Sequence, residues 1–239
     1  MIHYHGTPIT PQATLHQLVG RHFCVSFARP DCLPICREIG QSLMLDNGAF
    51  SFWRAGAGEV DVPAYAAWCA PILEQRCNWC VIPDSIEGDA DTNDELIREW
   101  LRESPLGVGR DQAAPVWHPH EPIDRLVELC GEWPRVCVGG SSMYPSIGTP
   151  SWHGRMREAM NVLCGDGPAP CWLHLLRGLS LAGSEYPFAS ADSTLIGQNH
   201  AGDNTRGTPA KDVVEMANRV DGRQCAARWH HHDQLTLAP

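Results

Sequence analysis

Along the chain, short apolar runs alternate with longer stretches in which apolar residues recur every three or four positions. The runs are Ile2–His5, His22–Ala28, Ser42–Phe50, Trp79–Pro83, Ala114–His118, Arg135–Gly139, Cys171–Leu176 and Phe188–Asp192. Gly, Pro, Asp or Asn bounds most of them, the usual signature of strands. Several are apolar at nearly every position, as strands buried on both faces of a parallel sheet tend to be.

Helices are expected between the runs. Pro11–Val19 follows Thr10, a candidate N-cap before a proline at the first helical position. Val62–Arg76 carries Tyr65, Trp68, Cys69, Ile72 and Leu73 at helical spacing. Asn93–Leu101 opens on Thr92 with Glu95 three residues later, a capping-box pattern. Ile123–Cys130, Trp152–Leu163 and Pro209–Val220 complete the set. Strand–helix alternation repeated this often implies an α/β fold with a parallel sheet. About eight strands, with polar residues gathered at several strand ends, favour a single-domain (β/α)8 TIM barrel over residues 1–239. No GxGxxG follows the first strand, so a dinucleotide-binding open sheet lacks its signature.

Composition narrows the class. Hydrophobic residues make up 43% and charged residues 19%, which fits a globular chain rather than a disordered one. Eleven cysteines lie singly along the expected elements, and Cys77-x-x-Cys80 reads as packing rather than a metal half-site. The odd count and the lack of a signal-peptide pattern point to reduced thiols in a cytoplasmic setting. No apolar run approaches the roughly 20 residues of a membrane span. The formal net charge of −10 opposes any polynucleotide, so such a substrate must meet a local basic cluster. Arg155, Arg157, Arg177, Arg206, Arg223 and Arg228 are the candidates, with solvated surface charge as the plain alternative.

In a (β/α)8 barrel the active site lies at the C-terminal ends of the strands. Here those ends carry Asp46-Asn47-Gly48-Ala49-Phe50, Ile82-Pro83-Asp84, Trp117-His118, Gly139-Gly140, Leu176-Arg177 and Ser190-Ala191-Asp192. Any one of the aspartates, taken alone, reads more readily as a turn former or helix cap than as a catalyst, and Asn-Gly is also a hairpin signal. Three carboxylates at the mouth of one barrel suit glycosidic exchange. One attacks a sugar carbon, one moves protons on the base, and one accepts from a guanine edge. Backbone N–H groups at Gly139-Gly140 can approach a base carbonyl closely, and Phe50 can cover its flat face.

In this order and spacing, across residues 42–200, the chain resembles the queuine/archaeosine tRNA-guanine transglycosylase superfamily. It most resembles the compact phage and bacterial members that insert 7-deazaguanines into DNA. Asp46-Asn47-Gly48-Ala49-Phe50 is similar to the family's Asp-Ser-Gly-Gly-aromatic motif, and Val138-Gly139-Gly140 to its Val-Gly-Gly turn. Leu175-Leu176-Arg177-Gly178 stands where the family has Tyr-Leu-Met-Gly, and Ser190-Ala191-Asp192-Ser193 resembles the nucleophile segment.

The resemblance implies Asp192 as nucleophile and Asp46 as proton carrier. It implies Asp84, Phe50, Gly139, Gly140, Leu176 and Arg177 as base contacts, with His118 in place of the family's Gln. The implied partners are DNA, or tRNA, and a free 7-deazaguanine such as 7-cyano-7-deazaguanine, in the cytoplasm of a bacterial or phage-infected cell. No cofactor and no metal are expected. The family's zinc cluster has no counterpart, since only Cys225 and His230-His231-His232 fall in that region. That leaves a homodimer unsupported and moves the expected polymer towards DNA. Rival readings are a nucleoside or nucleotide N-glycosidase on the same barrel and a non-catalytic subunit of a base-modification complex. A metal-dependent hydrolase is a more distant one, for which His3-x-His5 is the sole imitation of a strand-end ligand pair.

Overall fold

A computed structural model describes residues 1–104, 108–144, 146–202 and 209–231. Nine strand segments form one sheet: β1 (Ile2–Gly6), β2 (His22–Ser26), β3 (Ser42–Asp46), β4 (Trp79–Val81), β5 (Ala113–Ala114), β6 (Val116–Trp117), β7 (Arg135–Val138), β8 (Trp172–Leu175) and β9 (Ser190–Ser193). Their order is β5-β4-β3-β2-β1-β9-β8-β7-β6, and every pairing is parallel. The two ends of this order are neighbours in the chain, separated only by Pro115, which has no N–H to give to a ladder. Its carbonyl still accepts from the Cys137 N–H at 2.8 Å, while the Ala114 carbonyl accepts from Ile82 at 2.9 Å. The sheet is therefore a nearly closed parallel barrel wrapped by helices, of the α/β class and TIM-like.

The helices are α1 (Leu33–Ile39), α2 (Ala49–Ala55), α3 (Val62–Leu73), α4 (Ala90–Glu103), α5 (Ile123–Glu132), α6 (Pro150–Cys164), α7 (Leu195–Asn199) and α8 (Val213–Asp221). Several differ from the sequence expectation. The run Ser42–Phe50 is strand only to Asp46; Asn47-Gly48 then turns into α2, and Phe50 sits on a helix. A parallel strand must hand over to a crossover rather than a hairpin, which overrides the usual meaning of Asn-Gly. Between β1 and β2 the chain forms a 3-10 helix over Gln12–Leu18 with no side-chain cap from Thr10 or Pro11. Its buried residues, Leu15 and Leu18, are three apart, a spacing that suits three residues per turn. The cap of α4 is Asp89, not Thr92: the Asp89 Oδ1 accepts from the Thr92 N–H at 2.9 Å and from its hydroxyl at 2.6 Å. Likewise α8 starts at Val213 because the Asp212 carboxylate accepts from the Val214 and Glu215 N–H groups.

The period-two alternation of the strands sorts the core into two layers. Tyr4, Cys24, Met44, Trp79, Val81, Ala114, Val116 and Cys137 fill the barrel interior. Phe23, Val25, Leu43, Leu45, Val136, Val138, Leu173 and Leu175 face the helices in the larger core. Asp46 and Asp192 share the parity of the inward set, so the same alternation that packs the barrel points both carboxylates into its mouth. All eleven cysteines are free; Cys80 is buried and Cys77 exposed. Among the described residues no helix is long and apolar enough to cross a membrane.

Candidate active site

A cavity of about 510 Å³ opens at the C-terminal ends of the strands. Asp46, Phe50, Asp84, His118, Gly139, Gly140, Leu176, Arg177 and Asp192 all line it. Residues far apart in sequence meet there because each follows or ends a strand, where barrel geometry gathers loops around one axis.

Asp192, on β9, accepts from the backbone N–H of Arg177 at 2.7 Å, and His174 Nε2 lies 3.3 Å from the same Oδ1. Arg177 delivers that N–H from a left-handed backbone, φ 56°, the sole non-glycine with positive φ among the described residues. Such a conformation costs energy and persists where the surroundings impose it. Its guanidinium lies over the Phe50 ring, 3.9 Å from the centroid. Burial lowers its pKa, with Asp192, Asp46 and Asp84 pulling the other way. Gly140 makes room for it: a Cβ there would lie 2.5 Å from Arg177 Nη2.

Asp46, at the end of β3, accepts from the Gly48 N–H at 3.2 Å. Burial pushes its carboxyl up to about 6, against the Ser26 hydroxyl and with the help of the Asp192 and Asp84 charges. Two of the three carboxylates therefore differ in setting. Asp192 accepts from a backbone N–H beside a buried histidine, while burial makes Asp46 easier to protonate than an ordinary carboxylate.

Asp84 follows β4 and is held on both sides. Asn47 Nδ2 donates to its Oδ1 at 2.7 Å, and to the Ile82 carbonyl at 2.8 Å, while the Asn47 Oδ1 accepts from Ala49. His118 Nε2 lies 3.0 Å from Asp84 Oδ2, an electrostatic contact rather than a well-aligned hydrogen bond. The other ring nitrogen of His118 donates to the Gly140 carbonyl at 2.5 Å. Burial opposes a charge on His118, but Asp84, Glu121 and the Gly140 carbonyl outweigh it and raise its pKa. His118 thus sits on the cavity wall between Asp84 and the glycine turn.

The glycine pair also divides. The Gly139 N–H is taken by the Trp117 carbonyl at 2.9 Å, so of the two only Gly140 remains as a candidate donor. Gly139 is needed for a different reason: a Cβ would lie 2.8 Å from both His118 Nδ1 and Val116 Cγ1.

His174 and Arg29 also belong to this region and are not evident from strand ends, while Asn47 and Ser190 stand in strand-end segments without a role being evident from them. Ser190 and His174 share the inward parity of Asp192 on paired strands, which is the signal that identifies them. Arg29 lines the cavity, together with Thr7, Ser51 and Gln198. Three of the other expected basic residues are engaged with protein groups. Arg155 donates to the Pro119 and Glu121 carbonyls, Arg157 pairs with Glu185, and Arg228 donates to the Asp166 carbonyl. Arg206 and His232 lie outside the described residues. His3 and His5 point away from the interior, onto Asp221 of α8, which also pairs with Arg21. They are thus not a ligand pair at the barrel mouth. No family model, characterised protein or solved structure matches the chain.

Proposed function

We propose that the chain is a guanine transglycosylase that exchanges guanine for a 7-deazaguanine in a polynucleotide, DNA first. The observation that carries this reading is the convergence of Asp46, Asp84 and Asp192 with Phe50 and Gly140 in one cavity. Their order along the chain is that of the transglycosylase motifs. In this reading β5 and β6 are two halves of one strand broken at Pro115, which makes the barrel (β/α)8.

The chemistry follows from the geometry. A guanine lifted from the stack displaces the Arg177 guanidinium from Phe50 and lies on that ring, a contact worth roughly 1–3 kcal/mol. Asp84, pinned by Asn47 and His118, accepts from the N–H groups of the guanine edge, while the Gly140 N–H donates to its carbonyl. An Asp192 oxygen forms a bond to the sugar C1′ as the C1′–base bond breaks and its electron pair passes into the base. The protonated Asp46 gives its proton to the departing guanine. The incoming deazaguanine then loses a proton to the Asp46 carboxylate and bonds to C1′. The Asp192–sugar ester breaks and the carboxylate is restored.

The net charge of −10 favours one alternative, a glycosidase acting on free nucleosides or nucleotides with water in place of the second base. One experiment separates them. Purified protein is incubated with DNA or tRNA and 7-cyano-7-deazaguanine, and the digested polymer is analysed by mass. Deazaguanine incorporated into DNA is expected. Incorporation into tRNA alone would reassign the polymer. Free guanine released without incorporation would favour the glycosidase.

A further inference from the structure

Asp192 is held from below by a chain of buried polar groups that the reaction scheme leaves unused. The Trp172 Nε1–H donates to the Ser190 hydroxyl at 2.7 Å, and Ser190 Oγ lies 2.8 Å from His174 Nδ1. His174 Nε2 in turn lies 3.3 Å from Asp192 Oδ1. Both contacts to Asp192, from His174 and from the Arg177 backbone N–H, fall on Oδ1.

We propose that His174 is the positioning residue of Asp192, a neutral imidazole that donates from Nε2 to Oδ1 and leaves Oδ2 as the oxygen that bonds to the sugar. The proposal rests on the base-exchange reading for the identity of the reaction, but not for the His174–Asp192 pairing.

The tautomer follows from the ends of the chain. The indole N–H can only donate, so Ser190 accepts there and has its single proton to give to His174 Nδ1. The other end agrees, because a carboxylate is acceptor-only when ionised and requires a proton on Nε2. The imidazole is completely buried, with Tyr4 and Trp79 rings edge-on at 6.0 and 5.0 Å. The charged or titratable groups facing it are Asp192 from β9, Arg135 from β7 and Tyr4 from β1. Burial lowers the His174 pKa, and the Arg135 charge acts in the same direction, against Asp192.

The consequence is a division of labour between two oxygens. When Oδ2 forms the ester, Oδ1 becomes its carbonyl oxygen. When the C1′–Oδ2 bond breaks in the second half-reaction, its electron pair returns to the carboxylate, and both donors stabilise that charge. Losing one donor of this kind costs about 10²-fold in kcat, with KM little changed.

Two variants separate positioning from mere filling of the barrel floor. His174→Gln keeps an N–H donor, while His174→Leu keeps apolar volume without one. Positioning ranks kcat as wild type, then Gln, then Leu; a packing role ranks Leu at or above Gln, and that order overturns the proposal. The second measurement does not depend on activity. In 15N-histidine-labelled protein, the signal lost in His174→Gln reports a neutral ring protonated at Nε2 between about pH 7 and 8. A ring protonated at Nδ1, or charged across that range, overturns the pairing. If the wild type exchanges no base, the functional reading falls while the spectrum still decides the pairing.

Discussion

Asp46 carries the most distinctive electrostatics of the site. Its carboxyl is raised by burial from the ordinary 3.8 to about 6. The folded protein thus binds more protons than the unfolded chain between those values, and stability falls as pH rises through that window. Asp46→Asn removes the titration. Urea unfolding should show the variant gaining on the wild type from about pH 4 to 6, then holding a constant lead. That lead is roughly 2 kcal/mol once the partial exposure of the carboxylate is allowed for. The same variant should lose most base exchange. A lead that shrinks with rising pH would contradict the raised carboxyl. At this scale the carboxylates were legible in the sequence because each closes an apolar run. The roles of His118 and Gly139 were not, because they depend on which partner each nitrogen finds across the barrel. Asn47 was read only as part of a turn, yet its amide joins Asp84 to the β4 carbonyl end and orders the start of α2.

The turn from β3 into α2 is the element on which this geometry depends most. Gly48 adopts φ 82° and caps α2, and a Cβ there would lie 3.0 Å from Ala28 Cβ and 3.1 Å from a Phe52 ring carbon. Gly48→Ala should cost about 1–2 kcal/mol and, by shifting Asn47 and Phe50, reduce exchange at least tenfold. Asp89→Ala removes the α4 cap for a similar loss of about 1 kcal/mol but leaves the site intact, so it controls for stability alone. Thermal unfolding with exchange rates on the same samples checks the pair; equal activity losses would show that the turn has no special role. Strands and long helices were legible from periodicity. The short α1, α2 and α7 were not, since helices of five to seven residues span too few turns to establish a pattern. Helix starts were misread where a nearer Asp outcompeted Thr as cap, as Asp89 does.

At the level of the whole molecule, the alternating pattern sufficed for a parallel α/β barrel. The closure at Pro115 was not legible, because a broken strand and a continuous one give the same apolar run over residues 113–117. The charge of the molecule sets a further expectation. Among the described residues, Arg29 and Arg177 are the arginines that line the cavity, on a chain of net charge −10. Each phosphate neutralised on duplex DNA contributes about −0.9 to the slope of log affinity against log salt, so a slope near −2 is expected. Titrating DNA binding between about 50 and 200 mM salt measures it, and a slope steeper than about −5 would require a basic surface outside the cavity.

The central claim is that Asp192 forms a bond to the sugar. Incubating the protein with a guanine-containing oligonucleotide and no incoming base, then denaturing, digesting and weighing the peptides, tests it directly. The account predicts a sugar-linked adduct on the peptide containing Asp192, absent from Asp192→Asn and discharged when 7-cyano-7-deazaguanine is added before denaturation. An adduct on Asp46 or Asp84, or base exchange persisting in Asp192→Asn, would contradict it.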